Sequence, residues 1–153
     1  MAIVVCIAAL AGCGGSGSHE NVPGGANSGD VQVIKRWADE LRAGDVQAAT
    51  DRFTLPTVVA NGTAPLQLTA RREILAFNES LPCGARLVRA QPSGRFTVAT
   101  FVLTERPGPG QCGAGVGQTA QTAFEIKDGK IAEWRRVAEQ PPATAPESTA
   151  PII

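Results

Sequence analysis

Two stretches of this sequence are too polar and too rich in glycine and proline to build a core, and they set the size of whatever folds between them. Residues 14–29 read GGSGSHENVPGGANSG, and residues 140–153 read QPPATAPESTAPII. Neither buries enough apolar surface to offset the entropy of ordering it. What remains, about 108 residues, is close to the commonest size of one domain and long enough for one core. The expected organisation is a leader over 1–12, a tether over 13–29, one domain over 30–138 and a disordered tail over 139–153.

Charge narrows the partners. The acids Glu20, Glu139 and Glu147 lie in the ends, which leaves 14 basic and 11 acidic residues in the domain. No basic run exceeds two residues, so nucleic acid is not an expected partner.

The domain opens with a helical pattern. Val33, Ile34, Trp37, Ala38 and Leu41 recur at the spacing of one helix face, with Asp30 as the expected cap and Gly44 as the stop. Asp45 opens a second, shorter helix expected to end near Phe53, and Pro56 prevents its continuation. Thr57–Ala60 reads as a strand, Asn61-Gly62 as a turn and Leu66–Leu68 as another strand. Thr69 is the expected cap of a third helix that ends at Leu81-Pro82 and lies across the sheet to bury Ile74 and Phe77.

Thereafter the pattern is β. Residues 85–91 form a strand, Pro92-Ser93-Gly94 a turn, and residues 95–105 a long strand with apolar residues on both faces. A Gly-rich loop over 107–118 leads to a hairpin about Asp128-Gly129. Helices segregated from a run of antiparallel strands predict an α+β fold.

The N-terminus carries a separate message. Residues 1–12 are nearly all apolar but too few to span a bilayer, which takes about 20 residues. They fit the apolar part of an export signal. The run ends Leu10-Ala11-Gly12-Cys13 and then turns to glycine and serine, which resembles the lipobox of bacterial lipoproteins. That resemblance implies cleavage before Cys13, a lipid on its thiol, and a cell-membrane location facing away from the cytoplasm. A flexible tether of about 16 residues would hold the domain on the order of 20–25 Å from the surface.

Of the remaining cysteines, Cys6 falls in the signal. Cys83 and Cys112 are left as a pair in an oxidising compartment and are expected to form a disulfide. There is no Cys-x-x-Cys, and His19, in the tether, is the sole histidine, so no metal site and no cofactor is expected. Asn61-Gly62-Thr63 and Asn78-Glu79-Ser80 match glycosylation sequons.

The order of elements, Trp37 with Leu41-Arg42-Ala43-Gly44-Asp45, Phe53, and the run Asp128-Gly129-Lys130-Ile131-Ala132-Glu133-Trp134-Arg135 together resemble the nuclear-transport-factor-2-like superfamily, its SnoaL-like branch in particular. The resemblance implies a strongly curved antiparallel sheet wrapped around three helices into a cone, often with an apolar pocket, and dimers through the sheet. Some members are isomerases, dehydratases or cyclases that use His, Tyr and Asp inside the cone. The chain has no tyrosine and no histidine in the domain, so no catalytic residue carries over.

The expected function is therefore a lipid-anchored, non-catalytic module for a small apolar ligand or an envelope protein. The alternatives are an extracytoplasmic enzyme of the same superfamily or a structural dimerisation domain. Trp37, Phe53, Phe77, Phe101, Phe124 and Trp134 either pack a core or line the cavity, with Thr100, Thr122 and Arg136 as polar contacts. The glycines of 108–117 lack the spacing of a phosphate cradle.

Overall fold

The structure, a computed structural model, describes residues 26–138. The segment expected to be a signal, 1–12, with Cys13, most of the expected tether and the expected tail over 139–153, lies outside the described residues.

Helix α1 spans Ser28–Ala43 and so begins inside the stretch expected to be tether. Its cap is Asn27, not Asp30: the Asn27 side chain accepts from the Gly29 N–H at 2.8 Å. Asp30 sits in the first turn, where a carboxylate still favours the positive end of the helix. The helix buries Val31, Ile34, Trp37, Ala38 and Leu41 along one face. It stops at Gly44, which adopts φ 83° and approaches so closely that a Cβ there would lie 3.0 Å from Pro107.

Asp45 caps α2 (Val46–Thr50) by accepting from the Ala48 N–H at 3.0 Å. This helix ends three residues before Phe53, which instead begins strand β1 (Phe53–Ala60). Strand β2 is Leu66–Leu68. Helix α3 (Arg71–Ser80) is not capped by Thr69; the Glu73 carboxylate folds back to accept the N–H groups of Thr69 and Ala70 at 2.8 and 3.1 Å. Those two hydrogen bonds hold the Glu73 carboxyl below its ordinary pKa.

Strands β3 (Gly84–Ser93), β4 (Phe96–Thr104), β5 (Thr119–Lys127) and β6 (Lys130–Val137) follow. The β3–β4 turn falls at Gly94-Arg95, two residues later than the sequence suggests, because Pro92 and Ser93 still pair with Thr97 and Phe96. The β5–β6 hairpin turns on Asp128 and Gly129, at φ 51° and 70°, as the sequence predicts. Strand β4 presents buried Thr97, Ala99 and Phe101 inward and half-buried Phe96, Val98, Thr100 and Val102 outward.

The six strands form one curved, open sheet in the order β2-β1-β6-β5-β4-β3. The sheet is mixed rather than wholly antiparallel, since β1 and β6 run parallel. Parallel neighbours need a long connection, and here all the intervening strands and α3 provide it. Register breaks between Leu87 and Arg89, between Glu125 and Ile126, and between Phe53 and Val58 bend the strands. Across the last break Pro56 has no N–H to give, and the Thr57 hydroxyl donates to the Ala132 carbonyl at 3.0 Å.

It is α1, not α3, that lies across the sheet, touching β3, β4, β5 and β6. Helix α3 packs chiefly on α2 and reaches the sheet through Phe77, whose ring lies 5.1 Å from that of Trp134. Trp37 occupies the middle, edge-on to Phe53, Phe101, Phe124 and Trp134 at 5.5–6.5 Å. Its indole N–H donates to Asn78 Oδ1 at 2.9 Å, and the Asn78 amide donates to the Ile74 carbonyl at 3.0 Å. Asn78, one of the two sequon asparagines, is wholly buried and so closed to glycosylation in the folded state.

Removing the Asn78 amide leaves the Trp37 donor buried without a partner. Asn78→Ala is expected to lower stability by about 2–3 kcal/mol, read as a shift in the midpoint of urea unfolding.

Candidate functional site

The strands that cross beneath α1 carry short side chains where the helix carries long ones. Ala85 on β3 and Ala120 on β5 leave space that Trp37 and Leu41 of α1 do not fill. The result is a cavity of about 130 Å³. Its walls are Trp37, Leu41, Phe101, Leu103 and Trp134, with Leu81, Pro82 and Cys83 at one side and Asn61, Thr122 and Arg136 as the polar members. Asn61, Pro82 and Arg136 are exposed and mark the mouth. No aspartate, glutamate or histidine is among the lining residues.

Of the residues singled out in the sequence, Trp37, Phe101, Thr122, Trp134 and Arg136 meet at this cavity. Phe53 and Phe124 do not line it; both are buried behind Trp37. Phe77 packs between Phe53 and Trp134 and also stays outside the lining. Thr100 points to the other face of the sheet, opposite Gln121. Successive residues on a strand face opposite sides, and Phe101 is the inward one here. Ala85 and Ala120 carry no signal in the sequence, since small strand residues matter only by the volume they omit.

Two indoles meet the cavity and differ in one respect. The Trp37 N–H is satisfied by Asn78, whereas the Trp134 N–H, in a side chain only 5% exposed, has no partner among the described residues. Arg136 stands beside Thr122 in the β5–β6 ladder. Among the described residues Arg136 makes no ion pair, although Arg42, Arg52, Arg71, Arg95 and Arg135 each hold a carboxylate.

The disulfide joins Cys83 and Cys112, with a Cα–Cα distance of 4.5 Å. It ties the loop after β4 to the cavity wall beside Leu81 and Pro82. Gly84 follows, and a Cβ there would meet Thr104 Oγ1 at 2.8 Å and the α1 backbone at Arg42 at 3.1 Å. Only a bare backbone lets β3 start so close to the helix. Buried Arg106 secures the same corner by donating through Nη2 to the carbonyls of Asn78 and Glu79, each at 3.1 Å. Burial lowers its pKa, against the pull of Glu79.

The acids lie elsewhere. Glu125 and Glu133 face each other across β5 and β6 on the outer face. Arg95 bridges them at 2.6 and 2.9 Å, Lys127 holds Glu125 and Arg135 holds Glu133. Burial alone would raise the Glu125 carboxyl, but hydrogen bonds from Lys127 and Arg95 outweigh it and hold the pKa below the ordinary value. Asp30 has the opposite shift: burial raises its carboxyl despite a hydrogen bond from Thr97, and it does not line the cavity. Among the described residues no three His, Cys, Asp or Glu side chains cluster as a metal site would require.

No family model and no curated protein sequence matches this chain. Solved structures do match it. A candidate polyketide cyclase from Sinorhizobium meliloti is 21% identical over 69% of this chain and 94% of its own, with a TM-score of 0.52. A candidate ketosteroid isomerase from Kribbella flavida is 14% identical, covers 82% of this chain and 90% of its own, and has a TM-score of 0.54. A nuclear-transport-factor-2-like protein of unknown function from Cytophaga hutchinsonii is 9% identical over 71% of this chain and 88% of its own, at a TM-score of 0.55. The fold is therefore the nuclear-transport-factor-2-like α+β fold.

The disulfide closes a loop of 29 residues. Its reduction, or the Cys83→Ser/Cys112→Ser double variant, is expected to cost about 3–4 kcal/mol on the chain-entropy model. Denaturant unfolding with and without reductant measures the difference.

Proposed function

We propose that the domain is a non-catalytic binding module for a small apolar ligand, displayed outside the cytoplasm by a lipid on Cys13. One observation carries the binding reading: a mostly apolar cavity opens at the end of the sheet, and its lining holds no group that titrates as a general acid or base near neutral pH. Catalysis of the isomerase type needs a proton acceptor beside the substrate, and the outer-face acids are already held by arginine and lysine. The anchor reading rests on Leu10-Ala11-Gly12-Cys13, and the Cys83–Cys112 disulfide suits an oxidising compartment. No helix among the described residues is long and apolar enough to cross a membrane.

The printed names of the Sinorhizobium and Kribbella proteins favour a second reading, an enzyme that uses the same cavity. Deuterium exchange at acidic C–H positions of a ketone panel separates the two. Exchange above the buffer rate would establish the second reading, and its absence across the panel supports the first.

Both tryptophans of the chain line the cavity, so intrinsic fluorescence reports its occupancy directly. Titration with 4-nitrotoluene, an apolar quencher, is expected to give saturable quenching. Ala120→Leu, which fills the cavity from a half-buried position, should weaken the apparent affinity by about tenfold or more, or ~1.4 kcal/mol. Linear, collisional quenching in the native chain would refute the cavity as a binding site. For the anchor, metabolic labelling with a radioactive fatty acid should mark the native chain and not Cys13→Ala.

A further inference from the structure

We infer that the ligand is a small amphipathic monocarboxylate, its apolar body in the cavity and its carboxylate against Arg136 at the mouth. The inference rests on the binding reading above and adds the charge of the ligand. Arg136 is exposed at the rim, on the residue of β6 directly opposite Thr122, and both line the cavity. Every lining residue other than Arg136 is uncharged, so the site carries one positive charge and no negative one. A cation would meet repulsion with no compensating carboxylate, and a neutral hydrocarbon would leave the guanidinium without a counter-charge.

The other arginines set the contrast. Of the ten others, five make ion pairs with carboxylates of the same domain, buried Arg106 donates to two backbone carbonyls, and Arg36, Arg72, Arg86 and Arg89, which make no ion pair among the described residues either, do not line the cavity. Arg136 alone combines a place on the cavity wall with the lack of an internal counter-ion among the described residues. A guanidinium presents paired donors that match the two oxygens of a carboxylate, and such charge-assisted bonds are the stronger kind.

Size limits the apolar body: a cavity of about 150 Å³ takes a benzene ring, and this one has about 130 Å³. A single guanidinium also suits one negative charge better than the doubly charged head of a phosphate ester, which commonly draws several donors.

The test compares two quenchers of nearly equal shape, 4-nitrobenzoate and 4-nitrotoluene, which differ by a carboxylate in place of a methyl group. The native chain at low ionic strength is expected to bind 4-nitrobenzoate at least about tenfold more tightly. That preference should shrink several-fold at high salt. Arg136→Gln should bring the two affinities together, and Arg136→Lys should restore part of the preference. If 4-nitrotoluene binds as well as 4-nitrobenzoate, or if the preference survives in Arg136→Gln, the carboxylate inference is overturned while the cavity reading stands. If neither compound gives saturable quenching, both fall together. A circular-dichroism melt of each variant separates lost binding from lost folding.

Discussion

The hydrogen bond from the Trp37 indole to Asn78 holds three helices and the sheet in one arrangement. Trp37 belongs to α1, which crosses the sheet, and Asn78 belongs to the last turns of α3, which barely touches it. Asn78 also faces Thr50 of α2 at 3.4 Å and its own helix at Ile74, so the amide is the point where all the helices meet. A buried polar group with every bond made specifies one packing, because any shift would leave donors dry and unpaired. Around that point the aromatic rings pack edge to face, a geometry their quadrupoles favour.

The cavity follows from this arrangement. Trp37 is fixed by Asn78 and by four other rings, so it cannot swing down to fill the space above Ala85 and Ala120. The disulfide and Arg106 then pin the segment after α3 against the far wall. Rigid elements on every side keep an apolar space open that a looser core would collapse into.

Charge is partitioned with equal care. The outer face gathers Arg95, Glu125, Lys127, Glu133 and Arg135 into one network, with the Arg95 guanidinium also 4.4 Å from the Phe96 ring centre. Two glutamates opposite each other would repel, and the cations between them remove that cost. The inner face is left with aromatic rings, alanines and threonines, and the cavity with a single arginine at its rim. The same strand delivers both environments: Glu133 and Arg135 point outward from β6, while Trp134 and Arg136 reach the cavity.

Much of this was legible in order of residues alone. The face of α1, the Gly44 stop, the Asp128-Gly129 hairpin and the pairing of Cys83 with Cys112 follow from local periodicity, turn chemistry and cysteine count, which need no distant partner. So did the fold class, because helices followed by hairpins leave few ways to cover one sheet. What the sequence left open depended on contacts between residues far apart. Residues 53–56 became strand because β6 offered Phe53 a ladder at Ile131, a partner 78 positions away that no local propensity registers. Asn78 matched a sequon and proved to be wholly buried, since only the tertiary arrangement brings the Trp37 donor of α1 to it. Which aromatic rings would line a cavity and which would merely fill space was likewise settled by tertiary structure. A cavity is the volume that side chains fail to occupy, and that volume exists only once helix and sheet have been brought to a fixed distance.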